Sequence, residues 1–267
     1  MSTPVWHSLI LAMADAEKDR NVLIVDDDEV MCELLTALMS VEGYDVSSAG
    51  SAEDALKTVQ QGAAPGVILC DMRMPGMQGG DLAAALSAAR SNGELPRTTV
   101  LLGMSGSAPQ ADQAKDFDGF LRKPFSVEEF ARTVADIRMK GKLTSVDAST
   151  TAAQPSGNGS RKPALDERTF SQLRSKLGGG SLRELYGMML DDVRERLAKI
   201  AAAAANGDSA TVRREAHTIK GSCGMVGALE LQELAAATEG GSPIDNSALA
   251  NFDSACQRLR RMLDEKL

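Results

Sequence analysis

The sequence predicts two domains of different class: an α/β doubly wound parallel five-stranded sheet over residues 21–140, then an all-α antiparallel helical bundle over residues 164–267. Three observations predict this. The first half alternates short apolar runs with amphipathic stretches, the pattern of β-α repeats. The second half keeps helical periodicity throughout and shows no strand alternation. Between them residues 141–163, GKLTSVDASTTAAQPSGNGSRKP, are rich in small polar residues, Gly and Pro, the composition of a flexible linker. Residues 1–20 form an N-terminal extension.

In chain order, strands are expected at 21–25, 44–49, 66–70, 99–104 and 119–122. Helices are expected at 29–41, 52–61, 82–90, 110–115 and 127–139. Ser51 with Asp54, and Ser126 with Glu129, have capping-box spacing and mark two of the helix starts. In the second half, helices are expected at 166–177, 181–205, 208–223, 229–238 and 247–267, with turns at Asn206-Gly207 and Gly240-Gly241.

Composition narrows the function classes. With 43% hydrophobic and 25% charged residues the chain is ordinary globular protein. Its longest apolar run, around residues 9–14, is too short to span a bilayer, so no membrane insertion is expected. No basic segment precedes that run, so no signal peptide is expected either. Cys32, Cys70, Cys223 and Cys256 are scattered without metal-ligand spacing and read as reduced thiols of a cytoplasmic protein. Residues 21–140 hold ten basic against eighteen acidic residues, and residues 164–267 hold fourteen against fifteen. Neither half is basic, and nucleic-acid binding is not expected.

The strand ends of the first half carry the chemistry. Asp26 and Asp27 follow the first strand, Asp71 the third, Ser105 the fourth, and Lys123-Pro124 the fifth. A parallel sheet gathers its carboxyl ends at one edge, so three carboxylates, a hydroxyl and an ammonium converge there. Clustered carboxylates repel one another unless a cation joins them, and hard oxygen ligands suit Mg²⁺. Each feature has a plainer reading, with Asp26 to Asp28 as a helix cap and the stretch after Asp71 as a turn. Their order along the strands favours a phosphoryl-transfer site.

Residues 21–140 resemble a response-regulator receiver domain, of flavodoxin-like fold. The resemblance implies that Asp71 is the phospho-acceptor, with Asp26, Asp27 and the backbone carbonyl of Arg73 completing a magnesium site. It further implies that Ser105 and Lys123 contact the phosphoryl group, that Phe120 stands for the switch aromatic, and that Lys123-Pro124 is cis. Two departures stand out. The stretch from Ser105 to Lys123 is about one helical turn shorter than the family's, so the fourth helix is expected to be truncated. Arg73 and Ser107 flank the pocket where receivers vary.

The second half holds His217, one of two histidines in the chain; the other, His7, lies in the extension. Val212, Ala216, Ile219, Cys223 and Val226 make the apolar seam of a helix, and His217 sits one residue off it. Arg213, Arg214, Lys220, Gly221 and Gly224 share the histidine's face. Glycines inside a helix each cost about 1 kcal/mol relative to Ala, which points to something bulky approaching Gly221 and Gly224. The run Ala216-His217 to Lys220-Gly221-Ser222 resembles the histidine-phosphotransfer (HPt) domain. That resemblance implies that His217 carries a phosphoryl group, that Lys220 steadies it, and that Gly221 admits a partner's active site.

Taken together, the expectation is a two-component phosphorelay protein working with a sensor histidine kinase or other receiver or HPt proteins. A 23-residue linker spans about 25–30 Å as a coil, so exchange between Asp71 and His217 in one chain is expected. The sequence leaves oligomeric state and direction of transfer open. No P-loop or G-x-G-x-x-G nucleotide site is present, so an ATP-using kinase is not expected. Two alternatives remain. Asp26-x-Asp28-x-Val30 also satisfies the motif of a haloacid-dehalogenase-type magnesium phosphatase, although no acidic pair suited to that family follows Lys123. Alternatively, the bundle is a docking module in which His217 is silent.

Overall fold

The computed structural model describes residues 20–106, 114–140 and 163–267. His7, Ser107, the bulk of the expected 110–115 helix, the extension and nearly all of the linker lie outside these residues. The chain divides into two compact units, residues 1–143 and 144–267.

The first unit runs β1 (Asn21–Val25), α1 (Glu29–Val41), β2 (Asp45–Ala49), α2 (Ala52–Gln60), β3 (Val67–Asp71), α3 (Gly79–Asn92), β4 (Val100–Ser105), β5 (Gly119–Arg122) and α4 (Val127–Lys140). The five strands are parallel in the order β2-β1-β3-β4-β5. Apart from Asn21, β1 is buried, as are all of β3 and β4, whereas edge strand β2 is largely exposed. Covering both faces with helices explains the near-continuous apolar runs of the inner strands. On one face Leu23, Val25, Ile68, Cys70 and Leu101 pack with Ala55 of α2 and Leu82 and Leu86 of α3.

Strand order fixes where chemistry can sit. The chain winds outward in both directions from β1 and β3, and such a switch point leaves a crevice at the strands' carboxyl ends. Val25 pairs Cys70, and Asp71 pairs Met104. Asp26 and Asp71 therefore leave neighbouring strands at the same level.

The second unit is all helical: α5 (Glu167–Ala205), α6 (Ser209–Met225), α7 (Leu229–Glu239) and α8 (Asn246–Lys266). As the sequence predicts, α5 consists of two helices, which meet at Gly178, whose φ of 72° and ψ of 166° are not helical. A positive φ is what glycine alone accepts without strain, so the Gly178–Gly180 run bends α5 there. Asp166, Asp208 and Asp245 cap α5, α6 and α8 through their side chains. Tyr186 of α5 donates its hydroxyl to the Val226 carbonyl at 2.7 Å, pinning the turn after α6. Gly227 in that turn has φ 75°, and a Cβ there would meet Thr169 at 2.9 Å, so the start of α5 lies directly against it.

Candidate functional sites

At the β1/β3 crevice, carboxylate oxygens of Asp26, Asp27 and Asp71 lie within 4.8 Å of one another. Asp26 and Asp71 are buried and Asp27 is exposed. Lys123 reaches in from the end of β5, donating to Asp26 Oδ2 at 2.8 Å and standing 3.3 Å from Asp71 Oδ2. The Arg73 amide donates to Asp71 Oδ1 at 3.3 Å. Ser105 is buried at the end of β4, and its carbonyl accepts the Lys123 amide at 2.8 Å. The Lys123-Pro124 bond is cis.

One ammonium faces three carboxylates. Burial pushes the Asp71 carboxyl above its usual range, and Asp26 adds to this while Lys123 opposes it. Burial disfavours the Lys123 ammonium, yet Asp26 and Asp71 outweigh burial and raise its pKa. Surplus negative charge on hard oxygens, open to solvent at Asp27, fits a divalent cation such as Mg²⁺.

Asp28 takes no part in that cluster. It caps α1, accepting the Val30 and Met31 amides at 3.2 and 3.3 Å. The phosphatase alternative needs Asp28 as its second catalytic acid, and capping directs that carboxylate to the helix instead.

Two supports escaped sequence reasoning. α3 starts at Gly79, not at residue 82, because a Gly-Gly pair reads as loop. A Cβ on Gly79 would stand 2.3 Å from the Asp71 carbonyl oxygen, so α3 approaches the backbone of Asp71 itself. Phe120, half-buried, packs edge-on against Phe117 at 5.0 Å. It is the cross-strand partner of Gly103, where a Cβ would come 2.3 Å from its ring. Gly103 thus makes the space that Phe120 occupies.

In the bundle, Ala216, Ile219, Cys223 and Val226 are fully buried. His217 is half-buried, its side chain 15% exposed. Its partner is not a ring of cations, as its own helix suggests, but a carboxylate: Nδ1 lies 2.6 Å from Glu239 Oε1, and Lys220 Nζ donates to Glu239 Oε2 at 2.5 Å. Arg214 is engaged with Glu215, which also accepts from Arg196 at 3.0 Å, while Arg213 is exposed. Gly221 is buried and Gly224 half-buried, so Gly224 is the more open of the two.

Glu239 was legible in principle. α6 and α7 form a hairpin turning at Ala228, and His217 and Glu239 each stand eleven residues from it. Equal steps from an antiparallel turn bring residues to one level. Burial would raise the Glu239 pKa, but hydrogen bonds from Lys220 and His217 hold it below the usual glutamate range. A carboxylate at Nδ1 makes Nδ1 the protonated nitrogen of the neutral ring, which leaves the nucleophilic lone pair on Nε2.

The family model for the response regulator receiver domain matches residues 22–135, and that for the Hpt domain matches residues 184–265. Over 215 residues the chain is 29% identical to the sensor histidine kinase AruS of Pseudomonas aeruginosa, covering 79% of this chain and 20% of that protein. Over 126 residues it is 30% identical to the DNA-binding response regulator MtrA of Mycobacterium tuberculosis, covering 45% of this chain and 51% of that protein. The chain thus spans a fifth of AruS and about half of MtrA. The structure of the Vibrio cholerae chemotaxis protein CheY4 is 27% identical with a TM-score of 0.38, over 43% of this chain and 96% of that one.

Proposed function

We propose that Asp71 accepts a phosphoryl group with Mg²⁺ and that His217 carries one to or from a receiver aspartate, in a chain whose receiver and Hpt domains make it a two-component phosphorelay protein. The observation that carries this reading is Lys123, spanning Asp26 and Asp71 inside a three-carboxylate cluster.

The Asp71 carboxylate attacks phosphorus and forms an acyl phosphate, while the donor's leaving group takes the electron pair of the broken P–O or P–N bond. Asp26, Asp27 and Asp71, with the Arg73 carbonyl, would hold Mg²⁺, which supplies charge neutralisation for the phosphoryl oxygens. Lys123 turns from Asp71 to the transferred group, and the Ser105 hydroxyl donates to one of its oxygens. In the bundle, His217 Nε2 is the nucleophile, Lys220 neutralises the phosphoryl charge, and Glu239 keeps the proton on Nδ1. Gly221 and Gly224, with Arg213 and Arg214, border the face a partner's acidic pocket would meet, with cations opposite carboxylates. The phosphoryl source is a sensor histidine kinase, another phosphorelay protein or a small phosphodonor. These modules work in the cytoplasm, and no described helix is long and apolar enough to cross a membrane.

Intact mass after incubation with acetyl phosphate tests the first half. One added phosphoryl is expected on wild type with Mg²⁺, and none with EDTA or on Asp71→Asn; unchanged labelling of that variant overturns the assignment. For the second half, a phosphorylated receiver should pass acid-labile phosphate to Asp71→Asn protein and not to Asp71→Asn/His217→Gln, with circular dichroism unchanged. Equal labelling of both would make the bundle a docking module.

A further inference from the structure

A second cleft, of mixed polar and apolar lining and about 620 Å³, opens in the receiver unit at the amino ends of β4 and β5. Its walls come from the last turn of α3 (Ser87, Arg90 and Ser91), the approach to β4 (Arg97 to Val100), Asp118 before β5, and the last turn of α4 (Ile137 and Arg138). Three of the ten basic residues of a domain with eighteen acidic ones converge here.

Two of these arginines are held in place. Arg90 donates to Asp118 Oδ2 at 2.7 Å and to the Thr99 carbonyl at 3.1 Å. Asp118 is itself fixed by the Leu101 amide at 2.8 Å. Arg138 donates to the carbonyls of Thr98 and Gly66. Arg97 differs, being exposed and making no hydrogen bond or ion pair among the described residues. Three guanidiniums line the cleft beside one carboxylate, Asp118, which Arg90 already engages. Guanidinium forks match phosphate oxygens. The volume falls in the range of small-molecule sites, and Val100 and Ile137 add an apolar wall.

We infer that this cleft binds a small phosphate-bearing anion of nucleotide size, with Arg97 as its mobile donor and Arg90 and Arg138 as its anchored ones. The site is independent of Asp71 and His217, and its chemistry needs no metal.

The test is titration of the full-length protein with ATP, pyrophosphate or adenosine in EDTA, followed by ¹H–¹⁵N NMR. EDTA removes divalent metal, and the three carboxylates of the acidic pocket then repel anions. Saturable shifts of Ser91, Thr98 and Val100 are expected with ATP and pyrophosphate and not with adenosine. Losing one charge-assisted donor weakens binding about tenfold or more, so Arg97→Ala should raise Kd by that much and Arg97→Lys by less. Stronger binding of ATP than of pyrophosphate identifies a nucleotide, and equal binding identifies the phosphate group alone; both support an anion site. No saturation at millimolar ligand, shifts confined to other residues, or an unchanged Kd in Arg97→Ala overturns it.

Discussion

The two proposed phosphoryl sites pose opposite electrostatic problems. At Asp71 the proposed nucleophile is a carboxylate, buried beside another buried carboxylate, and a cation must be drawn in: Lys123 here, and a metal in the proposed reaction. At His217 the proposed nucleophile is an imidazole, and a carboxylate orients it while occupying the cation that would meet the phosphoryl group. One site is preassembled by four parallel strand ends, the other by two facing helices. In the first the nucleophile sits amid charge that resists it; in the second, charge sets which nitrogen reacts.

The largest expected effect comes from removing the cation at the first site. Lys123→Met leaves Asp26 and Asp71 buried without their ammonium, and breaking such a pair costs about 3–5 kcal/mol. Urea unfolding in EDTA should show a receiver destabilised on that scale, with Mg²⁺ restoring more stability than it adds to wild type. A variant as stable as wild type without metal would mean that Lys123 does not hold the cluster together.

Gly79→Ala probes the backbone beneath the same site. Its Cβ would stand 2.3 Å from the Asp71 carbonyl and 2.9 Å from the Met72 Cα, and backbone cannot turn aside as a side chain does. Overpacking of this kind costs about 1–3 kcal/mol, and acetyl-phosphate labelling should fall along with thermal stability. At the bundle's histidine the contact is with a side chain, Glu239, so substitution of that side chain should separate transfer from stability. Glu239→Ala is expected to slow transfer to His217 about tenfold, the loss of one charge-assisted hydrogen bond, with helicity unchanged. Glu239→Gln keeps an acceptor for Nδ1–H and should recover most of the rate. Equal rates in all three proteins would make Glu239 a bystander.

That contrast also explains what the sequence reveals. The strand ends were legible because parallel strands leave their chemistry next to the residue that ends each apolar run, so Asp26, Asp71, Ser105 and Lys123 announce themselves locally. His217 and Lys220 were legible because three residues make one helical turn. Glu239 was not: a partner supplied across a hairpin has no local period, and its signal is only equal distance from Ala228. Gly79 was missed for a related reason, since a glycine at a helix start looks like the loop before it. Gly178 was legible: the Gly178–Gly180 run separates the two helices of α5, where the sequence places the break.

The smallest effect is a pair of opposite pH slopes, one for each site. Hydrogen bonds from Lys220 and His217 hold the Glu239 pKa below its ordinary value of 4.5. A carboxylate lowered on folding contributes stability that is present above the unfolded pKa and is lost as pH falls through the folded one. The stability difference between wild type and Glu239→Gln should therefore shrink as pH falls below about 4.5. Asp71 has the opposite sign. Its folded pKa is raised above 3.8, so in EDTA the folded receiver binds a proton more readily than the unfolded chain, and this group opposes folding less as pH falls. Comparing wild type with Asp71→Asn, the variant's stability advantage should shrink as the solution is acidified toward pH 4. Urea midpoints read from separate ¹H–¹⁵N resonances of each unit check both slopes in one sample. Parallel slopes would break the comparison, because they would require the two carboxylates to sit in electrostatic surroundings of the same sign.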